Sequence, residues 1–157
     1  MDFEYSSDQQ LLKDSVEKFV QDNYAFEQRR KLVATEEGFS RANWAQYAEL
    51  GWLGMPFPEA YGGYGGTAVE TMIVMEAFGN GLVAEPFLPT VIMGAGAIVQ
   101  GGSEAQKKDI LPKVAEGKMM LALGFAERQS RYNLADVEVS AKKQGAGYLL
   151  NGMKSVV

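Results

Sequence analysis

Any chemistry this chain supports is expected to meet it at Leu121–Asn133, LALGFAERQSRYN, where a carboxylate (Glu127), two guanidinium groups (Arg128, Arg131) and a phenol (Tyr132) follow an apolar run. The stretch also marks a change of texture, because the residues before it carry helical periodicity and those after it read as strand and hairpin. Its acids and bases matter more because the 157 residues include neither Cys nor His. Thiolate nucleophiles, imidazole bases, Cys/His zinc sites and His-dependent triads therefore cannot be built from this chain alone. Zero Cys fits the expected cytoplasmic setting. A second stretch, Tyr61–Gly66, interleaves glycines with aromatics, and bare backbone amides of that kind can cradle an anion. No Gly-Lys-Ser/Thr follows it, however, and no apolar strand precedes it, so a loop in which glycine permits unusual φ is the preferred reading.

Composition narrows the partners. The net charge is −5, and the one basic cluster, Arg29-Arg30-Lys31, reads as the solvated end of a helix. A nucleic-acid partner is not expected, since phosphate backbones call for concentrated positive charge. The opening Met1-Asp2-Phe3-Glu4 has no apolar core of a secretory signal, and no run reaches the ~20 apolar residues of a membrane span, so no membrane partner is expected. A hydrophobic content of 46% is enough for a packed core.

The elements that position the stretch can be read in order. Ser7 with Gln10 has capping-box spacing, and Leu11, Leu12, Val16, Phe19 and Val20 form a helical apolar face. A second helix is expected after Ser40, carrying Trp44, Tyr47, Ala48 and Leu50 and ending at a left-handed Gly51. Pro56 and Pro58 keep the next segment out of a helix, and Thr67 with Glu70 caps another running to Gly79. Pro89 suits the first turn of a helix through Val99, closed by Gly101-Gly102. Its small residues Gly94–Ala97 would admit either a neighbouring backbone or a ligand chain. Ser103 with Gln106 starts a short helix expected to break at Ile110-Leu111-Pro112.

From Lys118 the pattern turns to β. Strands are expected over Met119–Ala126, around Val137–Val139 and over Tyr148–Leu150, with turns at Lys142–Gly147 and Asn151-Gly152, and Met153–Val157 opening a further strand. Two or three strands rarely stand alone. The chain is thus expected to be a fragment whose sheet continues beyond Val157, or one completed by a partner.

In this order the motifs resemble the N-terminal part of an acyl-CoA dehydrogenase. The segments Trp44–Gly54 (WAQYAELGWLG) and Pro58–Gly65 (PEAYGGYG) resemble that family's helix and loop, and Val74–Gly79 (VMEAFG) its next helix. Gly101–Gly117 is similar to the short helices closing its helical domain, and Gly147–Lys154 (GYLLNGMK) to its second-domain hairpin. The sets Ala126–Asn133 and Val69–Glu76 are closer to the small subunits of pimeloyl-CoA dehydrogenase-type enzymes. The resemblance implies a mainly α fold. Residues 1–118 would be an all-α helical-bundle domain and 119–157 the first strands of an incomplete β-barrel middle domain.

It further implies FAD as cofactor, an acyl-CoA thioester as substrate and α,β-dehydrogenation as the reaction. Electron-transfer flavoprotein would be the acceptor, and the assembly a homo- or hetero-oligomer with another acyl-CoA dehydrogenase subunit. The family's carboxylate base comes from outside this segment, so no catalytic residue is assigned here. Aligned by Glu127, the flavin-contacting positions fall at Leu123, Phe125, Ala126 and Tyr132, with Val156 in place of the usual tryptophan. Ala126 lacks the family's Thr hydroxyl, and Tyr132 places a ring where a small hydroxyl residue is usual. Arg128, Arg131 and Tyr132 are candidate substrate contacts, with the arginines read either as anion ligands or as surface and interface charges. Those departures carry the alternative reading, a non-catalytic partner subunit with a degenerate flavin site. A free-standing helical domain that binds apolar ligands without flavin is a third.

Overall fold

A computed structural model describes residues 4–157, and the acidic start read above lies partly outside them. The chain forms two compact units, one running to Leu121 and the other spanning Ala122–Val157. The first is helical and the second carries a two-stranded sheet, so the fold is mainly α.

In the first unit α1 (Ser7–Asn23) and α4 (Ala68–Asn80) pack together and are tied at their N-termini by joined caps. Ser6, one residue earlier than the expected Ser7, caps α1: its Oγ accepts from Gln9 N at 3.2 Å, and Gln9 Oε1 accepts from Ser6 N at 3.0 Å. The register moves because Gln10 is engaged with Asp14, whereas Gln9 also donates to Glu70 Oε1 at 2.7 Å. Glu70 closes the Thr67 capping box of α4, as its spacing predicts. Hydrogen bonds from Thr67 and then Gln9 hold its carboxyl at about 2, well below the usual range. Both helix starts therefore depend on one carboxylate.

Behind these caps lies the core. Val16 and Val20 of α1 are buried, with Leu12 and Phe19 packed against them, whereas Leu11 is 68% exposed and does not join the apolar face expected of it. Tyr47 of α3 (Arg41–Glu49) is fully buried, stacked on Phe78 at 5.0 Å between centroids and met edge-on by Phe19 at 5.3 Å. Such aromatic pairs add ~0.5–1.5 kcal/mol each beyond their area. Ser40 caps α3, and Gly51 after it takes φ 78, as expected of a left-handed helix end. Of the Arg29-Arg30-Lys31 cluster, Arg30 and Lys31 are exposed in the last turn of α2 (Phe26–Val33), as expected of a solvated helix end, whereas Arg29 is half-buried.

The loop after Gly51 spends its backbone donors on itself. Gly63 N reaches Pro58 O, Tyr64 N reaches Gly54 O, Gly65 N reaches Phe57 O and Gly66 N reaches Met55 O, all within 3.3 Å. A cradle needs free amides, so this glycine cluster is a packed loop. Next come a π-type helix, Leu88–Ala95, then α5 (Gly96–Gly101) and α6 (Glu104–Ala115), the last opened by the Ser103–Gln106 box. Pro112 does not break α6. It removes one donor, but Leu111 and Val114 on either side are fully buried, and Glu116 N still bonds Pro112 O at 2.9 Å.

In the second unit the hairpin is β1 (Ser140–Gln144) paired antiparallel with β2 (Gly147–Asn151) about Gly145-Ala146. Strands expected at Met119–Ala126, Val137–Val139 and Met153–Val157 are not formed among the described residues. A strand needs a ladder, and the donors of these segments go elsewhere: Leu121 N to Thr90 Oγ1, and Glu138 N and Val139 N to the Glu127 carboxylate. One ladder-like bond survives, Ser155 N to Ala126 O at 2.9 Å.

A Cβ at Gly63 would stand 2.1 Å from Phe57 O, whereas one at Gly79 meets nothing within 4 Å. Gly63→Ala is expected to lower stability by about 1–3 kcal/mol. Gly79→Ala, inside α4, is expected to raise it by about 0.5–1 kcal/mol. Denaturant midpoints measure both, and an unmoved midpoint for Gly63→Ala would refute the loop packing.

Candidate functional site

The expected site lies in the second unit and is organised by a residue whose role its own position in the sequence does not reveal. Glu127 is 4% exposed. Its carboxylate accepts from Lys154 Nζ at 2.6 Å, Gln129 Nε2 at 2.7 Å, Glu138 N at 2.7 Å and Val139 N at 3.3 Å. Its own backbone is tied to Ser130: Ser130 Oγ donates to Glu127 O at 2.8 Å and accepts from Glu127 N at 3.3 Å. A buried carboxylate is tolerated only with such partners. Lys154 first, then Gln129 and the Glu138 amide, hold it at about 2, far below the ordinary range. It is a permanently ionised tether and not an acid or base for neutral pH.

That tether fixes where the predicted residues stand. On its N-terminal side Leu123 and Phe125 are 36% and 43% exposed, and Ala126 is half-buried beside Ser155. Ala126 O is taken by Ser155, but Ala126 N has no acceptor among the described residues. Val156 follows Ser155, so it lies beside Ala126; its side chain is exposed and its φ is 55. On the C-terminal side successive tight turns, Ser130 N to Glu127 O, Asn133 N to Ser130 O and Asp136 N to Asn133 O, carry Arg128, Arg131 and Tyr132 outward. Tyr132 is completely exposed, Arg128 and Arg131 are exposed without an ion pair among the described residues, and Arg131 takes a left-handed φ of 47. Leu123, Phe125, Ala126 and Val156 thus share one neighbourhood, and the two arginines and Tyr132 sit on the adjoining turns.

In the first unit the approach to this stretch is anchored separately. Leu121 N donates to Thr90 Oγ1 at 3.2 Å and Thr90 Oγ1 donates to Leu121 O at 3.1 Å. A Cβ on Gly94 would meet Leu121 Cβ at 2.6 Å. Of the two uses open to the small residues of this helix, Gly94 serves the close approach of a neighbouring chain segment.

A second buried carboxyl, Glu85, was not singled out by sequence. It accepts from Tyr24 Oη, from Ser40 N at 3.0 Å and from Tyr47 Oη at 3.4 Å, with no cationic partner among the described residues. Burial pushes its pKa up, and burial likewise raises the Tyr47 phenol. The only signal in the sequence is an acid isolated between Ala84 and Pro86, which does not disclose tyrosines tens of residues away.

With this geometry in hand, the family described as Acyl-CoA dehydrogenase, N-terminal domain, matches residues 6–118. The mitochondrial isovaleryl-CoA dehydrogenase of Pongo abelii is 32% identical over 95% of this chain and 36% of its own length. An acyl-CoA dehydrogenase complexed with FAD from Bacillus anthracis matches at a TM-score of 0.84 and 29% identity, over 95% of this chain and 26% of that one. The ChsE4-ChsE5 complex from Mycobacterium tuberculosis matches at a TM-score of 0.80 and 28% identity, over 98% of this chain and 39% of that one. The chain thus spans well under half the length of these relatives.

Two pH responses follow. Glu127 has a folded value below its ordinary 4.5, so its contribution is complete above that pH and is lost as pH falls toward about 2. Amide protection at Glu138 and Val139 should fade over that window by hydrogen exchange, and Lys154→Met should move the loss to higher pH. Glu85 has a raised folded value, so its contribution is complete below the ordinary value and is lost as pH rises through the folded one. Glu85→Gln, which keeps an acceptor and removes the charge, should raise the melting temperature at pH 8 more than at pH 5.

Proposed function

The chain belongs to the acyl-CoA dehydrogenase family, and from that premise we propose that it works as part of an FAD-dependent enzyme that removes the α and β hydrogens of an acyl-CoA thioester. The observation that carries this reading is the donor at Ala126 N, which has no acceptor among the described residues and stands next to Glu127 in the stretch that carries the exposed apolar side chains of Leu123 and Phe125. A flavin ring asks for that combination, a donor for a ring heteroatom and apolar surface for its face. The chemistry that FAD would supply is a hydride acceptor for the β hydrogen, and the α proton would pass to a carboxylate base, which we assign to a segment other than this one. The chain's own residues would orient: Leu123, Phe125, Ala126 and Val156 toward the flavin, and Arg128 and Arg131, with Tyr132, toward anionic groups of the thioester ligand. Electron-transfer flavoprotein is the proposed acceptor and a second dehydrogenase subunit the proposed partner, in the manner of pimeloyl-CoA dehydrogenase-type small subunits.

A second reading is favoured by specific residues. Ala126 offers no hydroxyl, Tyr132 places a fully exposed ring on the turn, and Val156 provides little stacking surface. On this reading the chain is the non-catalytic member of an unlike pair, and its partner holds the working flavin.

The two are separated by purifying the full protein with and without its partner subunit. The first predicts a yellow protein whose flavin absorbance bleaches on adding medium-chain or dicarboxyl-CoA thioesters, with one flavin for each chain. One flavin per unlike pair, rising after Ala126→Thr with Tyr132→Ser, supports the second. A colourless assembly that no thioester alters would sink both.

A further inference from the structure

We infer that the first unit contains a binding cleft for a carboxylate-terminated apolar chain, distinct from the stretch around Glu127 and independent of any flavin chemistry. The cleft, of about 340 Å³, is walled by Met75, Phe78, Leu82, Val83 and Leu88, with Arg29 lining it and Glu85 at its side. That volume lies within the ~300–1,000 Å³ of small-molecule sites, which combine apolar walls with a few polar groups that orient the ligand. The polar group here is Arg29.

Three features single it out from the rest of the basic cluster. Arg30 pairs with Glu27 at 3.7 Å on the helix surface, as a solvated helix end should. Arg29 instead is half-buried and turns its Nε onto Leu82 O at 2.6 Å. Its two terminal amino groups have no carboxylate partner among the described residues, in a protein whose acids outnumber its bases 20 to 15. A guanidinium held by one edge presents its remaining donors as a fork, the geometry that suits a carboxylate.

Glu85 does not compete for it. Its oxygens are committed to Tyr24, Tyr47 and the Ser40 amide. The rim is also built against local preference. Leu82 takes φ 50, where glycine would be easier, and yet keeps a side chain 59% exposed at the cleft beside Leu88, itself 45% exposed. Strain and exposure together are wasted on a helix terminus but are useful at the mouth of an apolar site. A cationic or neutral chain would gain the walls and leave the guanidinium unpaired, so an anionic end group is the class selected.

The test titrates the full protein, below micellar concentrations, with decanoate, 1-decanol and decylamine, following the ¹³C-methyl signal of Met75. Decanoate should shift that signal saturably and bind at least tenfold tighter than the other two. Arg29→Gln should bring decanoate to the level of decanol, Arg29→Lys should restore part of the difference, and Arg30→Gln should leave it intact. Leu82→Gly relieves a left-handed residue and so keeps the fold, and it should weaken all three ligands several-fold. Equal affinities for the three probes, no shift at Met75, or the same loss from Arg29→Gln and Arg30→Gln would overturn the assignment.

Discussion

The ion pair between Glu127 and Lys154 is what the second unit is built on. That unit has almost no apolar interior: its two well-buried side chains, Glu127 and Ser130, are both polar, while every buried hydrophobic side chain of the described residues lies at or before Val114. Desolvating a carboxylate is expensive, and a lone partner rarely offsets it. Glu127 succeeds because two backbone amides and Gln129 share the charge with Lys154, so that one side chain ties three segments that pair in no ladder. Where an apolar core tolerates small shifts, this arrangement depends on charge and direction, and the candidate site inherits its geometry from it.

The helical unit is stabilised by a different balance. Burial of aromatic and aliphatic side chains around Tyr47 supplies the driving force, and polar contacts set register. Glu70 shows the division: its cap bonds to Thr67 and Gln9 fix where α1 and α4 begin, and Val16, Val20, Val74 and Phe78 then hold them together. Thr90 and Gly94 carry that order to Leu121, one by hydrogen bonds and the other by having no Cβ. The last residue of this unit is consequently a fixed point from which the stretch leading to Glu127 departs.

What could be read in advance follows the range of the forces involved. Caps at Ser40, Thr67 and Ser103, the left-handed Gly51 and the Gly145-Ala146 hairpin depend on residues within a few positions of one another, and their spacing exposes them. No strand forms at Met119–Ala126 or Val137–Val139, because β-rich composition makes a segment extended without giving its donors a neighbouring strand. Their amides go instead to a threonine hydroxyl and a carboxylate. Glu85 and the many-fold coordination of Glu127 were invisible for the same reason, since Tyr24 lies 61 residues from Glu85 and Lys154 lies 27 from Glu127.

Cations in this acidic chain divide by use, and the division bears on function. Arg30, Arg41, Lys13 and Lys113 each face a carboxylate three or four residues away on their own helix or its lead-in, the exposed pairing worth at most a few tenths of a kcal/mol (~0.3–0.5). Arg29, Arg128 and Arg131 have no such partner among the described residues, although acids are in excess. Backbone geometry sets two of them apart: Arg29 is held by a carbonyl of a left-handed leucine, and Arg131 is itself left-handed. Conformations that L residues rarely adopt persist when surrounding structure imposes them. In both places the backbone, and not a carboxylate of the described residues, sets where the guanidinium stands.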